Sequence, residues 1–381
     1  MKQPVVLGVG LTAFGRRAPM TALDLMSEAA AAALEDAGVE RAAVDGLLLG
    51  YATTLPHLMP ATLFAEHFGL APSYAHGLQV GGATGLAMID LARHLVASGA
   101  VERMLVVAGE NRLSGQSRDQ TIKTLAQIGD PEHEVPNGAS VPAYYALLAS
   151  RYLAETQRSE EDLAGLSVLM RRHAQAYPGA HLRKTIDRSD VMASKPIAEP
   201  LKQLDCCPIS DGAAAVLIGQ RGATAGRSVQ LTGGGQAHTH QHISAAPDQI
   251  AEGAGLAAGR ALGQAGREVK EMQVLGIYDS FSVTLAALLE ALGISAPGQA
   301  PLEVEAGRFN LDGDLPLNPH GGLLSYGHSG VAGGMAHFVE VVRQLRGTSP
   351  VQAARMPDLG LVHADGGVLS SHVSLVLEAE T

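Results

Sequence analysis

The sequence predicts an α/β protein made of two halves that share one order of elements. Three observations carry this expectation. Strand and helix patterns alternate β-α-β-α-β between residues 5 and 111. The pattern then starts over near residue 225, where SVQLTGGGQ (228–236) has the character of the first strand. No Pro/Ser-rich linker intervenes, so residues 1–225, including a cover region over 112–210, and residues 226–381 read as halves sharing a core. At 381 residues, 46% hydrophobic and 17% charged, the chain is long and apolar enough to bury a sizeable interior.

VVLGVGLTAFG (5–15) alternates as a strand and ends in glycine. Thr21 is the expected N-cap of an Ala-rich helix closed by Gly38. DGLLLGYAT (45–53) is a second strand, and Pro60 opens a short helix. A strand to about Val80 then turns at Gly81 and Gly82 into a helix ending near Gly99, and ERMLVVAGEN (102–111) reads as a buried strand. Residues 112–140 are polar and read as a long loop, a feature that is usually functional in a compact domain. Helices follow over 141–156 and after Ser159, where Asp162 completes a capping signature. The basic stretch 184–205 reads as a cover loop, and DGAAAVLIG (211–219) as a buried strand. The second half adds a helix over 247–266, the strand-to-turn VLGIYDSFS (274–282) and a helix over 283–293. The glycine-rich GGLLSYGHSGVAGG (321–334) feeds an amphipathic helix from about Val331 to Arg346, and strands over 358–367 and 372–378 close the chain.

Composition excludes several classes of function. A formal charge of −11 argues against nucleic acid or an anionic membrane surface as a general partner. No apolar run reaches the roughly 20 residues of a membrane helix. The N-terminal MKQPVVLGVG reads as a strand rather than a secretion signal, so a cytoplasmic location is expected. The two cysteines, Cys206 and Cys207, are adjacent, which rules out a disulfide framework. The fifteen histidines are scattered without a metal-binding pair, and no metal is expected.

In sheets of this kind ligands collect at the C-terminal ends of strands. Four such turns carry chemistry-bearing residues: Gly81-Gly82, Tyr278-Asp279-Ser280, Tyr326-Gly327-His328 and His363-Ala364-Asp365. A glycine-rich loop that opens a helix also offers backbone N–H donors to an anion or a developing oxyanion.

AGEN (108–111), LDCCPISDGAAAVLIG (204–219), YDSFS (278–282) and GGLLSYGHSG (321–330), in this order and spacing, resemble the thiolase superfamily and its sterol-carrier thiolase-like branch. The resemblance covers nearly the whole chain. It implies a duplicated, five-layered αβαβα fold, a tight homodimer and acyl-CoA substrates. The departures from the family pattern are informative. Where a thiolase carries its nucleophilic cysteine in a Cys-x-x-Gly setting, this chain reads Gly82-Ala83-Thr84-Gly85. The second catalytic cysteine corresponds to His363, ahead of Gly366-Gly367. Tyr278 stands where the branch usually has a histidine, and Tyr326 precedes the retained Gly327-His328. This pattern is similar to the thiolase-like, lipid-transfer-protein-like aldolases that cleave side chains from steroid acyl-CoA thioesters. In that group two tyrosines are implicated, and a small OB-fold, acyl-CoA-associated protein completes the complex.

A retro-aldol reaction needs a base for the β-hydroxyl, a stabiliser for the thioester enolate and an acid for the α-carbon. It needs no nucleophile and no cofactor beyond the coenzyme A of the substrate. The resemblance therefore implies Tyr278 or Tyr326 as base with the other as proton donor, and His328 as donor to the enolate oxygen. Gly82 is expected to leave space for a bulky acyl group, with His363 and Gly327 also against the substrate. A phenol poised near neutrality needs a downward shift of about three units, about 4 kcal/mol, which an imidazolium favours and burial opposes. The alternatives are tyrosines that only pack, a core His363, and a chain that serves as an acyl-CoA or lipid-binding scaffold or as a Claisen-type acyltransferase.

Overall fold

The computed structural model describes residues 3–138, 140–220 and 227–380, so the expected boundary between residues 225 and 226 lies outside the described residues. The strands are β1 Pro4–Leu11, β2 Gly46–Gly50, β3 Tyr74–Leu78, β4 Arg103–Asn111, β5 Pro196–Ala198, β6 Leu201–Lys202, β7 Asp211–Gln220, β8 Val229–His238, β9 Val274–Ile277, β10 Leu359–Gly366 and β11 Ser371–Ala379. The helices of the first half are α1 Ala22–Ala37, α2 Pro60–Phe68, α3 Thr84–Ser98, α4 Arg112–Gly115, α5 Arg118–Leu125, α6 Val141–Thr156, α7 Glu160–Ala176 and α8 Arg188–Ala193. Those of the second are α9 Glu252–Ala265, α10 Ser282–Ala291, α11 Ala300–Glu305, α12 Gly322–Ser325 and α13 Val331–Arg346.

Nine strands form one sheet in the order β3-β2-β4-β7-β1-β8-β11-β10-β9. Its two wings repeat a single plan. β2 runs parallel to β4, which pairs antiparallel with β7, which pairs antiparallel with β1. Likewise β9 runs parallel to β10, which pairs antiparallel with β11, which pairs antiparallel with β8. The wings join where Val5 faces Gln230 and Val6 faces Val229. In place of a second β3, the described residues hold an isolated parallel bridge, Leu275 to Leu317.

The helices complete five layers. α1 packs outside β1, β7 and β4, and α9 packs outside β8, β11 and β10. α3 and α13 touch strands of both wings and form the middle layer. α13 buries apolar and polar positions alike, from Val331 through Leu345, as a helix enclosed on all sides must. The outer helices sit close because the strands beneath them carry glycine. A β-carbon on Gly8 or Gly10 of β1 would strike the carbonyl oxygens of Ala33 or Ala29 in α1. Gly233 and Gly235 of β8 stand in the same relation to Ala261 and Ala257 of α9.

Local signals in the sequence account for many element ends. Thr21 and Asp24 cap α1 reciprocally, Ser159 and Asp162 cap α7, and Gly38 closes α1 in the left-handed region. Three expectations need correction. β1 ends at Leu11 rather than at residue 15, because the chain there leaves the ladder and Thr12 Oγ1 instead accepts the N–H of Ala213 at 2.9 Å. The polar stretch 112–140 is not a bare loop but contains α4 and α5, the latter capped by Ser117. The 184–205 stretch similarly holds α8, capped by Asp187, and the small β5–β6 pair.

The glycine contacts predict opposite signs for one substitution at two sites. Gly235→Ala forces a methyl onto Ala257 and should cost about 1–3 kcal/mol by overpacking. Gly259→Ala, in α9 with nothing within 4 Å of the new methyl, should add about 0.4–1 kcal/mol. Urea unfolding of the two variants checks both; equal effects would show that the close approach has no energetic weight.

Candidate active site

Three segments converge at the C-terminal end of β9: the turn into α3, the residue after β9 and the loop ahead of α13. Tyr278 continues the β9–β10 ladder, its N–H donating to the His363 carbonyl at 3.0 Å. Its phenol is 5% exposed, and the oxygen lies 2.9 Å from His328 Nε2 with the two rings edge-on at 84°. Gly82 lies directly beneath. A β-carbon there would strike the Tyr278 hydroxyl and the Asp365 carbonyl oxygen. The expected open space at Gly82 is therefore corrected: the Tyr278 hydroxyl fills it.

His328 is held by its backbone. Its N–H donates to the Pro208 carbonyl at 3.1 Å, and its carbonyl accepts from Ser210 N–H at 2.9 Å. Next along the chain, Ser329 Oγ donates to the carbonyls of Glu110 at 2.9 Å and Gly212 at 2.7 Å. Gly327 has a φ of 126°, and a β-carbon there would strike Ser210 Oγ, so its glycine serves close backbone packing in the loop.

Two residues expected at the site turn elsewhere. Tyr326 is 2% exposed, and its hydroxyl donates to the Thr12 carbonyl at 2.8 Å while its ring packs on Phe14 at 4.9 Å and Tyr177 at 5.7 Å. It is not brought to the Tyr278–His328 pair. His363 is fully buried, with Nδ1 2.8 Å from Ser374 Oγ and Nε2 3.2 Å from His372 Nδ1. Its ring is engaged with β11, and only its carbonyl meets Tyr278. The expectation of His363 against the substrate is thus replaced by a core histidine.

Burial sets the charge states. It pushes the Tyr278 phenol well above its ordinary range, an effect that the Asp365 carboxylate reinforces. It pushes the His328 imidazole down to about 4, reinforced by the Arg112 guanidinium. Both groups are neutral at neutral pH. The expected phenol lowered by a neighbouring imidazolium is reversed, because desolvation outweighs every favourable charge. Tyr326 is raised by burial too. Neither cysteine supplies a thiolate: burial lifts Cys206 to about 12 and Cys207 well above the usual thiol range.

The sequence placed Asp279 and Asp365 in chemistry-bearing turns, as residues to orient histidines or cap helices, and gave Glu110, Tyr145 and His337 no role. Asp365 is buried, its Oδ2 accepts from the Tyr145 hydroxyl at 3.2 Å, and burial pushes it up to about 7. Asp279 accepts the N–H groups of Leu323 at 2.6 Å and Leu324 at 3.3 Å, carrying α12 and the loop beyond it, and lies 3.3 Å from His337 Nε2. Glu110 pairs with Arg112 at 2.6 Å inside the protein. Tyr145 and His337 lie on helices whose apolar stripes read only as core. The histidines at 238, 240 and 242 find separate partners in Ser371, Val368 and Asp130. Among the described residues no group of His, Cys, Asp and Glu is placed to hold a metal ion, and no helix is long and apolar enough to cross a membrane.

Comparison with known proteins covers almost the whole chain. Residues 5–222 match the family described as thiolase, N-terminal domain, and residues 235–379 match thiolase C-terminal domain-like. The chain is similar to an acetyl-CoA acetyltransferase of Methanothermobacter thermautotrophicus, with 31% identity over 96% of this chain and 97% of the relative. It is also similar to a 17-hydroxy-3-oxo-4-pregnene-20-carboxyl-CoA lyase of Mycobacterium tuberculosis, with 30% identity over 98% and 99%. Among solved structures, an Ltp2-ChsH2(DUF35) aldolase superposes with a TM-score of 0.86 at 29% identity, over 99% of this chain and 98% of that one.

The charge states give a stability profile whose sign follows from the balance of imidazoles and carboxyls. Burial holds His173, His328 and His372 at about 4, and His320 and His363 well below their ordinary value. The unfolded chain protonates these groups first, so their contribution is complete above about pH 6.5 and is lost as pH falls toward 4. Asp365 and Glu340, both raised to about 7, and Asp279, also raised, act oppositely over the same window. With seven imidazoles, His181 and His240 being lowered by burial too, against three carboxyls, the melting temperature should fall between about pH 6.5 and about pH 4.5. Calorimetry at stepped pH measures this, and a rising melting temperature on acidification would show the carboxyls dominant.

Proposed function

The chain belongs to the thiolase family, and on that premise we propose that it is a carbon–carbon lyase acting on acyl-CoA. It cleaves a bulky β-hydroxyacyl-CoA, with a steroid side-chain thioester as the leading candidate, to a ketone and a shorter acyl-CoA. The observation that carries this reading is the 2.9 Å contact between the Tyr278 hydroxyl and His328 Nε2, directly above Gly82. A hydrogen-bonded phenol and imidazole occupy the spot where the family pattern calls for a thiol.

The 2.9 Å contact arranges the pair for a proton relay driven by bond cleavage in the substrate. The β-hydroxyl of the substrate gives its proton to Tyr278 Oη as Tyr278 passes its own to His328 Nε2. The Cα–Cβ bond breaks, its electron pair enters the thioester enolate, and the β-carbon becomes a ketone. His328, now an imidazolium, faces the enolate and returns the proton to the α-carbon. The phenol never has to exist as a free phenolate, in keeping with its raised pKa. Tyr326, anchored on Thr12, positions the Gly327-His328 turn. The reaction needs no cofactor or metal. We further propose a homodimer working in the cytoplasm with a small OB-fold partner. The solved Ltp2-ChsH2(DUF35) aldolase, named for two components, supports the partner.

The acetyl-CoA acetyltransferase relative favours a second reading, Claisen-type acyl transfer. Incubation with β-hydroxyacyl-CoA candidates separates the two. Cleavage yields a ketone and a shorter acyl-CoA from one substrate, transfer requires a second acyl-CoA, and a carrier returns the thioester unchanged.

Tyr278→Phe should lower kcat by about 10²–10⁴-fold with little change in melting temperature. Tyr326→Phe should keep kcat within about tenfold and cost about 0.5–1.5 kcal/mol of stability through its lost hydrogen bond. Full cleavage activity in Tyr278→Phe would sink the relay.

A further inference from the structure

We propose that Arg112, held by Glu110, is a positioning residue for the catalytic pair, whose fixed positive charge keeps the relayed proton from settling on His328. The inference rests on the acyl-CoA cleavage reading and adds what returns the imidazole to its neutral form. Its starting point is a charged pair that the mechanism leaves unused. Arg112 is 7% exposed and Glu110 2%, and Arg112 Nη2 donates to Glu110 Oε2 at 2.6 Å. A buried ion pair is a poor device for stability, because the cost of taking both charges out of water offsets most of their attraction. Its location says more.

Glu110, near the end of β4, is well supplied with donors. Its Oε1 accepts the N–H groups of Thr53 at 2.6 Å and Thr54 at 3.2 Å, together with the Thr53 hydroxyl. Thr53 Oγ1 accepts in turn from Arg112 Nε at 3.3 Å. The Glu110 carbonyl holds Ser329, and Oε2 closes on Gly330, where a β-carbon would strike that oxygen and lie 3.6 Å from Arg112 Nη2. The guanidinium is therefore fixed against the turn that presents His328, with Gly330 two residues from the imidazole. Among the described residues its Nη1 has no hydrogen-bond partner.

The charge reaches both members of the pair. Arg112 favours the deprotonated form of Tyr278 and of His328 alike. The other groups facing His328 are Tyr278, at 2.9 Å from the end of β9, and His337 of α13, which acts in the same sense as Arg112. The segment 208–210 meets His328 through backbone, with His181 beyond it on Ser210 Oγ at 2.9 Å. Asp365, Cys207 and Tyr51 act on Tyr278, and Asp279 is engaged with Leu323, Leu324 and His337. Among these described groups Arg112 is the one permanent cation.

That cation suits the second half of the relay. The proton that reaches His328 Nε2 has to leave for the α-carbon before the next turnover. A fixed like charge nearby makes the imidazolium a stronger acid and so favours its transfer to carbon. One proton leaves the β-hydroxyl and one reaches the α-carbon, so the step balances without an outside donor.

The test reads His328 directly. Its titration is followed by NMR of the full chain carrying isotope-labelled histidine, with the resonance identified by its loss in His328→Gln. Arg112→Met should raise the midpoint from about 4 by about one unit, a tenfold change in the ratio of charged to neutral imidazole. Arg112→Lys, which keeps the charge, should hold the midpoint within about 0.3 unit of the parent. Glu110→Gln, which unmasks the cation, should leave it at or below the parent value. With a β-hydroxyacyl-CoA, the acid limb of kcat/KM should rise with the midpoint, because the relay starts from neutral imidazole. At neutral pH, kcat of Arg112→Met should fall about threefold to tenfold with KM within about threefold.

An unchanged midpoint in folded Arg112→Met overturns the proposal. So does an equal rise in Arg112→Met, Arg112→Lys and Glu110→Gln, which would trace the change to loosened packing rather than to charge. Should Arg112→Met not fold, Arg112→Gln, which keeps a donor for Glu110, takes its place. The cleavage reading fails separately: if the midpoint follows the charge but the parent turns over no β-hydroxyacyl-CoA, the coupling of Arg112 to His328 stands and the chemistry does not.

Discussion

The docking of the two sheet wings around α13 is the constraint on which the rest of the protein depends. A helix enclosed on every side has no water to satisfy the loop that enters it, so that loop is tied down by fixed partners. The ties come from the other half of the chain: Thr12 for Tyr326, Pro208 and Ser210 for His328, Glu110 and Gly212 for Ser329. The imidazole of the second half is thus aimed by the backbone of the first. At the other end of α13, Arg346 reaches across to the Val6 and Leu7 carbonyls and to Asp36. Neither half assembles the site alone.

The same enclosure decides the chemistry. Free in water, a phenol with a pKa of about 10 and an imidazole with one of about 6.5 already favour the neutral pair. Here desolvation widens that gap, so both remain neutral and a proton moves between them only as charge develops on a bound reactant. The buried carboxyls follow the same rule, with Asp365 and Glu340 raised to about 7. A thiolate nucleophile is poorly suited to such surroundings without a dedicated cationic partner, and the two cysteines are held as thiols.

Much of the fold was legible because it is written in local rules. The caps at Thr21 and Ser159 and the glycine closing α1 are short-range signals, and α13 runs from Val331 to Arg346 as its period requires. The turns at Gly82 and Tyr278 were legible as strand ends, and the one at His328 as a glycine-rich loop opening a helix. What the sequence could not convey was direction. Tyr278 and Tyr326 look alike as turn phenols, but one points over Gly82 and the other toward Thr12, a choice made by partners more than 300 residues distant in the chain for Tyr326. His363 likewise reads as a site residue until strand pairing brings Ser374 and His372 to its ring. The helices within 112–140 were missed because their composition is polar and their lengths are short.

The enclosure of α13 also shapes how the molecule opens. A helix with an exposed face frays and exchanges its amide protons through local fluctuations. The interior amides of Val331–Arg346 have no such route, since solvent reaches them only when the wings part. Their exchange with deuterium is therefore a gauge of the separation of the two wings, distinct from the loosening of α1 or α9 on the outside. The loop bearing His328 enters α13 at that joint, so its order is tied to the docking of the wings.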